Sequence, residues 1–224
     1  MDKNVIITIS RQFGSNGQEI GRQLAEYLDI GYYNKEIMLY IAQQIGVRPE
    51  FFEEDNMNEA GFYNVGRNNW LSNMTELSVN AQVFEMAKEM IQGIAQTESA
   101  VIVGRCADFI LKDNPNCIKV YCYSDLKDRI HIAKTEYKVP KRKVQRFVEQ
   151  QDKKRAGFYE FYTNQRWGTR YNYDLMLNTS MLSTQEAVEI LASLFDQKMG
   201  VTSIKGAYKD QYLSHKIQDL SQSR

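Results

Sequence analysis

A short loop and a handful of arginines carry the chemistry that this sequence can do. The loop is Arg11-Gln12-Phe13-Gly14-Ser15-Asn16-Gly17, placed between Val5-Ile6-Ile7-Thr8-Ile9 and a run in which Ile20, Leu24, Ala25 and Leu28 recur at helical spacing. Gly14, Asn16 and Gly17 can take positive φ and turn backbone N–H groups toward one point. Where such a loop feeds a helix, those amides and the positive end of the helix dipole converge on a site for an anion, phosphate above all. Gly14, Ser15, Asn16, Gly17, Gln18, Glu19 and Arg22 are therefore the candidate phosphate-binding set.

The register departs from the regular phosphate-loop pattern GxxxxGK[ST], whose lysine meets the β/γ-phosphates and whose hydroxyl meets Mg²⁺. With Ile9 as the last strand residue, Arg11 and Asn16 fall on the two glycines, Gly17 on the lysine and Gln18 on the Ser/Thr. Taken alone, the pattern is equally that of a plain strand-to-helix turn. If phosphate is bound, Arg11 and Arg22 are the available substitutes for the lysine. Arg11 is preferred, because a residue leaving the strand points toward the mouth of the loop.

A second cationic position follows the buried-type strand Ala100-Val101-Ile102-Val103-Gly104. Open α/β sheets bind ligands outside the carboxyl ends of their strands, so Arg105 is placed to grip a phosphate with its forked donors. The aspartate that often organises Mg²⁺ at such a strand end is missing. Asp108 is the nearest carboxylate, and the metal ligands stay unassigned. Cys106 reads as a small buried residue.

The elements that must position these groups follow from periodicity. Ile30 to Tyr33 reads as a short second strand, and KEIMLYIAQQI from Lys35 as a helix capped by Asn34. Residues 48–69 are polar and read as a flap over the core. Trp70 to about Gln96 reads as one long helix or two in line. A short helix over 107–112, a strand from Ile118 to Tyr123 and a helix capped by Ser124 come next. The segment 134–170 is rich in Lys and Arg interleaved with Tyr and Phe. Tyr173 to Asn178 reads as another buried strand, and Ser183 to Phe195 as an amphipathic helix capped by Ser183 or Thr184.

Composition narrows the class. The chain has 224 residues, enough for one sizeable core, and Lys plus Arg balances Asp plus Glu at 28 each. Neutrality argues against recruitment of nucleic acid or an acidic membrane, and favours a small-molecule ligand. The chain opens without a secretory leader and holds no apolar run long enough to cross a bilayer, so a soluble, cytoplasmic protein is expected. Three cysteines without a CxxC spacing indicate neither a disulfide framework nor a zinc site.

Several blocks in order, SRQFGSNGQEIGRQLAEYL, GYYNKEI, VIVGRCADFIL and WGTRYNYDLMLNTSMLSTQEAVEIL, resemble the cytidylate kinase-like proteins, a divergent branch of the P-loop nucleoside monophosphate kinases. The likeness runs from about Val5 to Leu194. It implies a P-loop NTPase-like α/β fold: a three-layer sandwich with a five-stranded parallel sheet, helices on both faces and a helical lid. The implied units are a kinase-like domain over 1–200 and a polar extension over 201–224. The implied activity is phosphoryl transfer from ATP, with Mg²⁺, to a nucleoside monophosphate, CMP or dCMP.

In this light Arg11, Arg105 and Arg155 become the catalytic candidates. Segment 134–170 becomes a lid, in which Arg155, three residues after Asp152, best matches the arginine that neutralises the transferring phosphoryl group. Arg129, Arg146, Arg166 and Arg170 are weaker candidates for that lid role, and Asn34, Lys35, Arg129, Arg170 and Asp174 are the acceptor-binding candidates. For Asp174 a structural salt bridge is an equal alternative, and for Asn34 and Lys35 spacing alone favours a cap and a solvated lysine. Tyr208 to Leu220 reads as a helix that packs back or joins a second subunit in a homodimer. The competing reading is a binding protein for nucleotides or phosphometabolites that kept the fold and lost efficient transfer. Phosphorylation of a non-nucleotide small molecule also stays open, and RNA binding by 134–170 is disfavoured.

Overall fold

Every residue of the opening strand, β1 (Ile6–Arg11), is buried, because its alternating side chains serve two cores at once. The structure is a computed structural model and describes residues 3–34, 40 and 70–201. After β1 the order is α1 (Gly17–Leu28), β2 (Gly31–Tyr33), α2 (Trp70–Thr97), β3 (Ala100–Val103), α3 (Ala107–Ile110), β4 (Cys117–Tyr123), α4 (Leu126–Thr135), α5 (Val144–Thr163), a 3₁₀ turn (Arg170–Asn172), β5 (Leu175–Asn178) and α6 (Thr184–Met199). The strands form a five-stranded sheet in the order β2-β3-β1-β4-β5, parallel throughout. Every carboxyl end therefore opens on the same side, and β1 sits where the chain turns to build the sheet in the other direction, the place where such sheets bind ligands.

Val5, Ile7 and Ile9 point into one core with Ile20 and Leu24 of α1 and Leu191 and Phe195 of α6. Ile6 points the other way, into a core with Ala87, Ile91 and Ile94 of α2 and Ile102 of β3. Burying each such aliphatic side chain contributes about 1.5–3 kcal/mol, so the sheet is held from both faces and the three-layer α/β expectation is met. Gly21 lets α1 lie close on the sheet, since a Cβ there would come within 3.0 Å of Val103 and 3.1 Å of Ile9. A third, smaller core of Phe13, Ala133, Val144 and Val148 lies under α4 and α5. It is this one that ties the basic segment to the loop after β1.

In α6, Ser183 and Glu186 cap each other reciprocally, the Glu186 amide donating to Ser183 Oγ at 3.2 Å. One expected cap is corrected. α4 starts at Leu126 with Asp125 as its N-cap, while Ser124 is buried and shares a 2.8 Å hydrogen bond with Ser180 after β5. Competition from that partner removed Ser124 from capping. The 48–69 flap, Lys35, most of the helix after Asn34 and the helix over 208–220 lie outside the described residues.

Candidate active site

The loop between β1 and α1 is fixed from three sides. Gln12 donates its amide to the Cys122 carbonyl of β4 at 2.9 Å, and its side-chain oxygen accepts the Ser124 amide at 3.2 Å. Phe13 donates its amide to Asp152 on α5 at 2.8 Å while its ring packs against Tyr137 and Phe147. Ser15 is buried, its hydroxyl donating to the Gln12 carbonyl at 2.9 Å. Gly14 and Asn16 adopt positive φ, 73° and 55°. The first-turn amides of α1 at Gly17, Gln18 and Glu19 have no intrahelical acceptor, whereas Ile20 already donates to Asn16 at 2.9 Å. The outcome is a polar cleft lined by Arg11 to Gly14 and Asn16 to Glu19, with Tyr137 and Arg155.

Gly17 is glycine for a reason the sequence did not give. Its φ is not positive. A Cβ there would stand 2.6 Å from Arg11 Cβ and 3.1 Å from Cys122 Cβ, so the space is taken by the arginine stem. Arg11 is buried, and its guanidinium runs beneath the loop to β3, where a Cβ on Gly104 would lie 2.5 Å from Nη1. The expected course toward the loop mouth is thus revised. Arg11 is threaded between Gly17 and Gly104, and lines the loop cleft along the way.

A second cleft opens beside the first at the carboxyl end of β3, between Gly104-Arg105-Cys106 and the α5 residues Lys154, Arg155, Phe158 and Tyr159, with Trp167 beyond. Gly104, Arg105 and Cys106 are successive left-handed residues, at φ 81°, 57° and 55°. Two non-glycine residues in that region cost on the order of 1–3 kcal/mol each, so this turn is held by its surroundings. Part of that hold is Asp108, which is buried and accepts hydrogen bonds from Tyr159 at 2.7 Å and Ser10 at 3.3 Å. Burial pushes the Asp108 carboxyl upward, against the lowering effect of those two donors. Burial likewise raises the Cys106 thiol, which makes it a packing residue rather than a thiolate.

Arg155 belongs to both clefts. Its Nη1 donates to the Arg11 carbonyl at the end of β1 at 3.1 Å, and its guanidinium lies 5.7 Å from the centre of the Phe13 ring. Arg105 lines the second cleft, and Asn34 is buried just past β2.

Other expected site residues are engaged elsewhere. Arg129 is buried and forms a short ion pair with Asp152, the carboxylate that also holds the Phe13 amide. A Cβ on Gly14 would come within 3.0 Å of the Arg129 backbone, so Arg129 supports the loop from below instead of facing an acceptor. Arg22 is exposed and bridges Glu19 at 2.6 Å and Glu26 at 3.0 Å. The Arg22 partner holds the Glu19 carboxyl below the usual range. Arg170 is exposed and covers the ring of Tyr171, 4.6 Å from its centre. Asp174 accepts the Lys119 amide at 2.8 Å and pairs with the Lys119 ammonium at 3.6 Å. It precedes β5, at the amino end of a strand whose ligand-facing end is at Asn178, so the structural alternative is the right one.

The residues that sequence reasoning missed are supports: Gln12, Asp108, Asp152 and Tyr159. Asp152 had a signal, an acid set directly before Lys153-Lys154-Arg155. Tyr159 had none, since its hydroxyl finds Asp108 51 residues away in the chain.

ATP phosphates suit the loop cleft, with its amides and its arginines. A protein-held Mg²⁺ suits the described residues poorly: among them no three His, Cys, Asp or Glu side chains gather as a metal site, and Asp108 is committed to Ser10 and Tyr159. Mg²⁺ can still arrive bound to nucleotide phosphates, keeping several waters.

Solved structures share the architecture. An uncharacterized protein from Eubacterium ventriosum ATCC 27560 is similar at a TM-score of 0.65 and 24% identity, over 86% of this chain and 99% of that one. A shikimate kinase from Bacteroides thetaiotaomicron is similar at 0.50 and 16% identity, over 86% and 98%. At these identities the likeness establishes the fold alone, a parallel α/β sandwich. A search of the curated proteins returned no match. Among the described residues no helix is long and apolar enough to cross a membrane. The cytidylate kinase-like family model matches residues 6–181, most of the chain and both clefts, and the protein belongs to that family.

Proposed function

We propose that this protein transfers a phosphoryl group from ATP to a nucleoside monophosphate, CMP or dCMP. The observation that carries the reading is the place of Arg155, shared by two neighbouring clefts of different character. A group that must stabilise charge passing from donor to acceptor belongs at such a junction.

The roles divide as follows. The amides of Gly14, Asn16 and Gly17 and the first turn of α1, at Gln18 and Glu19, receive the donor's phosphates, with Ser15, whose amide turns to the Gln12 carbonyl at 3.3 Å, shaping the loop. Arg11, threaded from this loop to Gly104, supplies positive charge where Gly17 replaces the usual lysine. Arg105, with Asn34 and Lys35, holds the acceptor monophosphate. An oxygen of that monophosphate attacks the γ-phosphorus, ADP leaves with the electrons of the broken P–O bond, and Arg155 stabilises the charge between them. No side chain acts as nucleophile. Mg²⁺ accompanies ATP and shields its phosphates. Residues 1–200 form the kinase-like unit, 134–170 serve as its lid, and 201–224 are an extension.

Screening nucleoside monophosphates with ATP and Mg²⁺ by coupled ADP release tests this directly. Turnover with CMP or dCMP that falls sharply in Arg11→Ala is the expected result. If Arg11→Ala left turnover of every accepted pair unchanged, its role would be refuted. Two observations favour the binding-protein alternative: Gly17 leaves no room for the lysine, and Asp108 is engaged by neighbours. Thermal stabilisation by CMP and ATP without any ADP release would decide for that alternative.

A further inference from the structure

The second cleft is lined by more than cations. Phe158 and Trp167 are half-buried and border it together with Arg105, Lys154 and Arg155. Each aromatic is braced from behind. Phe158 rests on Tyr162, 4.8 Å between ring centres, and Tyr162 in turn stacks on Phe84 of α2 at 4.2 Å and 11°. Trp167 meets Tyr121 edge-on at 5.3 Å, and Tyr121 leans on Tyr173 at 4.9 Å. The turn carrying Trp167 is pressed onto the sheet, since Gly168 has φ 71° and a Cβ there would lie 2.9 Å from the Tyr121 hydroxyl.

Core packing accounts for the rear of these rings and leaves their cleft side unexplained. Aromatic surface braced in place and left open to a cavity gives area for a planar ring at little entropic cost. Cationic side chains on the same cavity take an anion.

We infer that Phe158 and Trp167 form the acceptor's base-selecting wall, so that the acceptor is a phosphate monoester carrying a planar heterocycle rather than a bare sugar phosphate or an alicyclic acid. This rests on the second cleft being the acceptor site, as proposed above. Phe158 and Trp167 then set discrimination, while Arg105 and Arg155 set affinity for the phosphate that all such acceptors share. Base–aromatic contacts of this kind change affinity by roughly tenfold or more when the ring is removed.

The test compares CMP with ribose 5-phosphate on the full chain, following intrinsic fluorescence and subtracting the Trp167→Phe variant to isolate the Trp167 signal from that of Trp70. Expected are saturable quenching by CMP that depends on Trp167, affinity for ribose 5-phosphate weaker by about tenfold or more, and a similar loss for CMP alone in Phe158→Leu, with the KM for ATP unchanged. Equal affinity of the two ligands overturns the inference and leaves the acceptor site standing. So does tight CMP binding indifferent to both substitutions, which would put base reading elsewhere. If neither ligand binds and no turnover is found, the acceptor reading itself falls and the inference with it. The wild-type comparison of the two ligands decides even if a variant fails to fold.

Discussion

The cleft over Gly14 to Gly17 is built around a loop and the start of a helix, whereas its neighbour at the end of β3 is bordered by Arg105, Lys154, Phe158 and Trp167. In the first, the first-turn amides of α1 lack an intrahelical acceptor, while the side chains of Gln12 and Ser15, the amide of Phe13 and its ring anchor the loop. In the second, Arg105, Lys154, Phe158 and Trp167 do the lining, and the main chain contributes a strained turn beneath them. A backbone cradle recognises what all nucleoside triphosphates share. A side-chain wall can discriminate between acceptors, because each of its residues has its own shape and charge. Arg155 stands where the two meet.

The comparison is exposed to substitution, and the largest effect is expected at the junction. Arg155→Ala should lower kcat on the order of a hundred- to a thousandfold, the usual loss when a charge-stabilising donor is removed, with smaller changes in either KM. A loss confined to one KM would assign Arg155 to one cleft only. Asp152→Ala should act on the loop cleft through stability. It leaves Arg129 buried without its carboxylate and the Phe13 amide without an acceptor, at a cost of about 3 kcal/mol in chemical denaturation, with the KM for ATP rising more than that for the acceptor.

Asp108→Asn sharpens the other side. Since burial raises the Asp108 carboxyl in the folded protein, its contribution to stability is fully present below the ordinary carboxylate pKa and is lost as pH rises through the folded value. The stability of the variant relative to wild type should therefore improve from about pH 4 upward, measured by denaturation across pH. Its kinetic defect should fall on the acceptor, because Asp108 holds Tyr159 at the second cleft. Ser183→Ala is the smallest and the control. Losing the α6 capping box should cost about 1 kcal/mol and leave both KM values alone.

Much of the architecture was legible because buried parallel strands write themselves as apolar runs. Val5 to Ile9 and Ala100 to Val103 needed no partner to be identified, and the two-faced burial of β1 followed. The helix starting at Gly17 was equally plain from Ile20, Leu24 and Ala25. The site was legible only in part. Arg155 was singled out by the family resemblance, but Arg129, expected at the acceptor, proved to be a prop under the loop because Asp152 on the next helix captures it. Asp174 illustrates the same limit: its sequence position beside a buried strand was clear, and its place at the wrong end of that strand required the register with Lys119.

By itself the sequence determined which segments are buried and where a backbone cradle forms, since apolar periodicity and glycine act through short-range sterics and the exclusion of water. Only the tertiary structure decided which guanidinium meets which partner. That choice depends on side chains far apart in sequence, Arg11 against Gly104, Arg129 against Asp152, Tyr159 against Asp108, and long-range pairing of charges and hydroxyls leaves no local period to read.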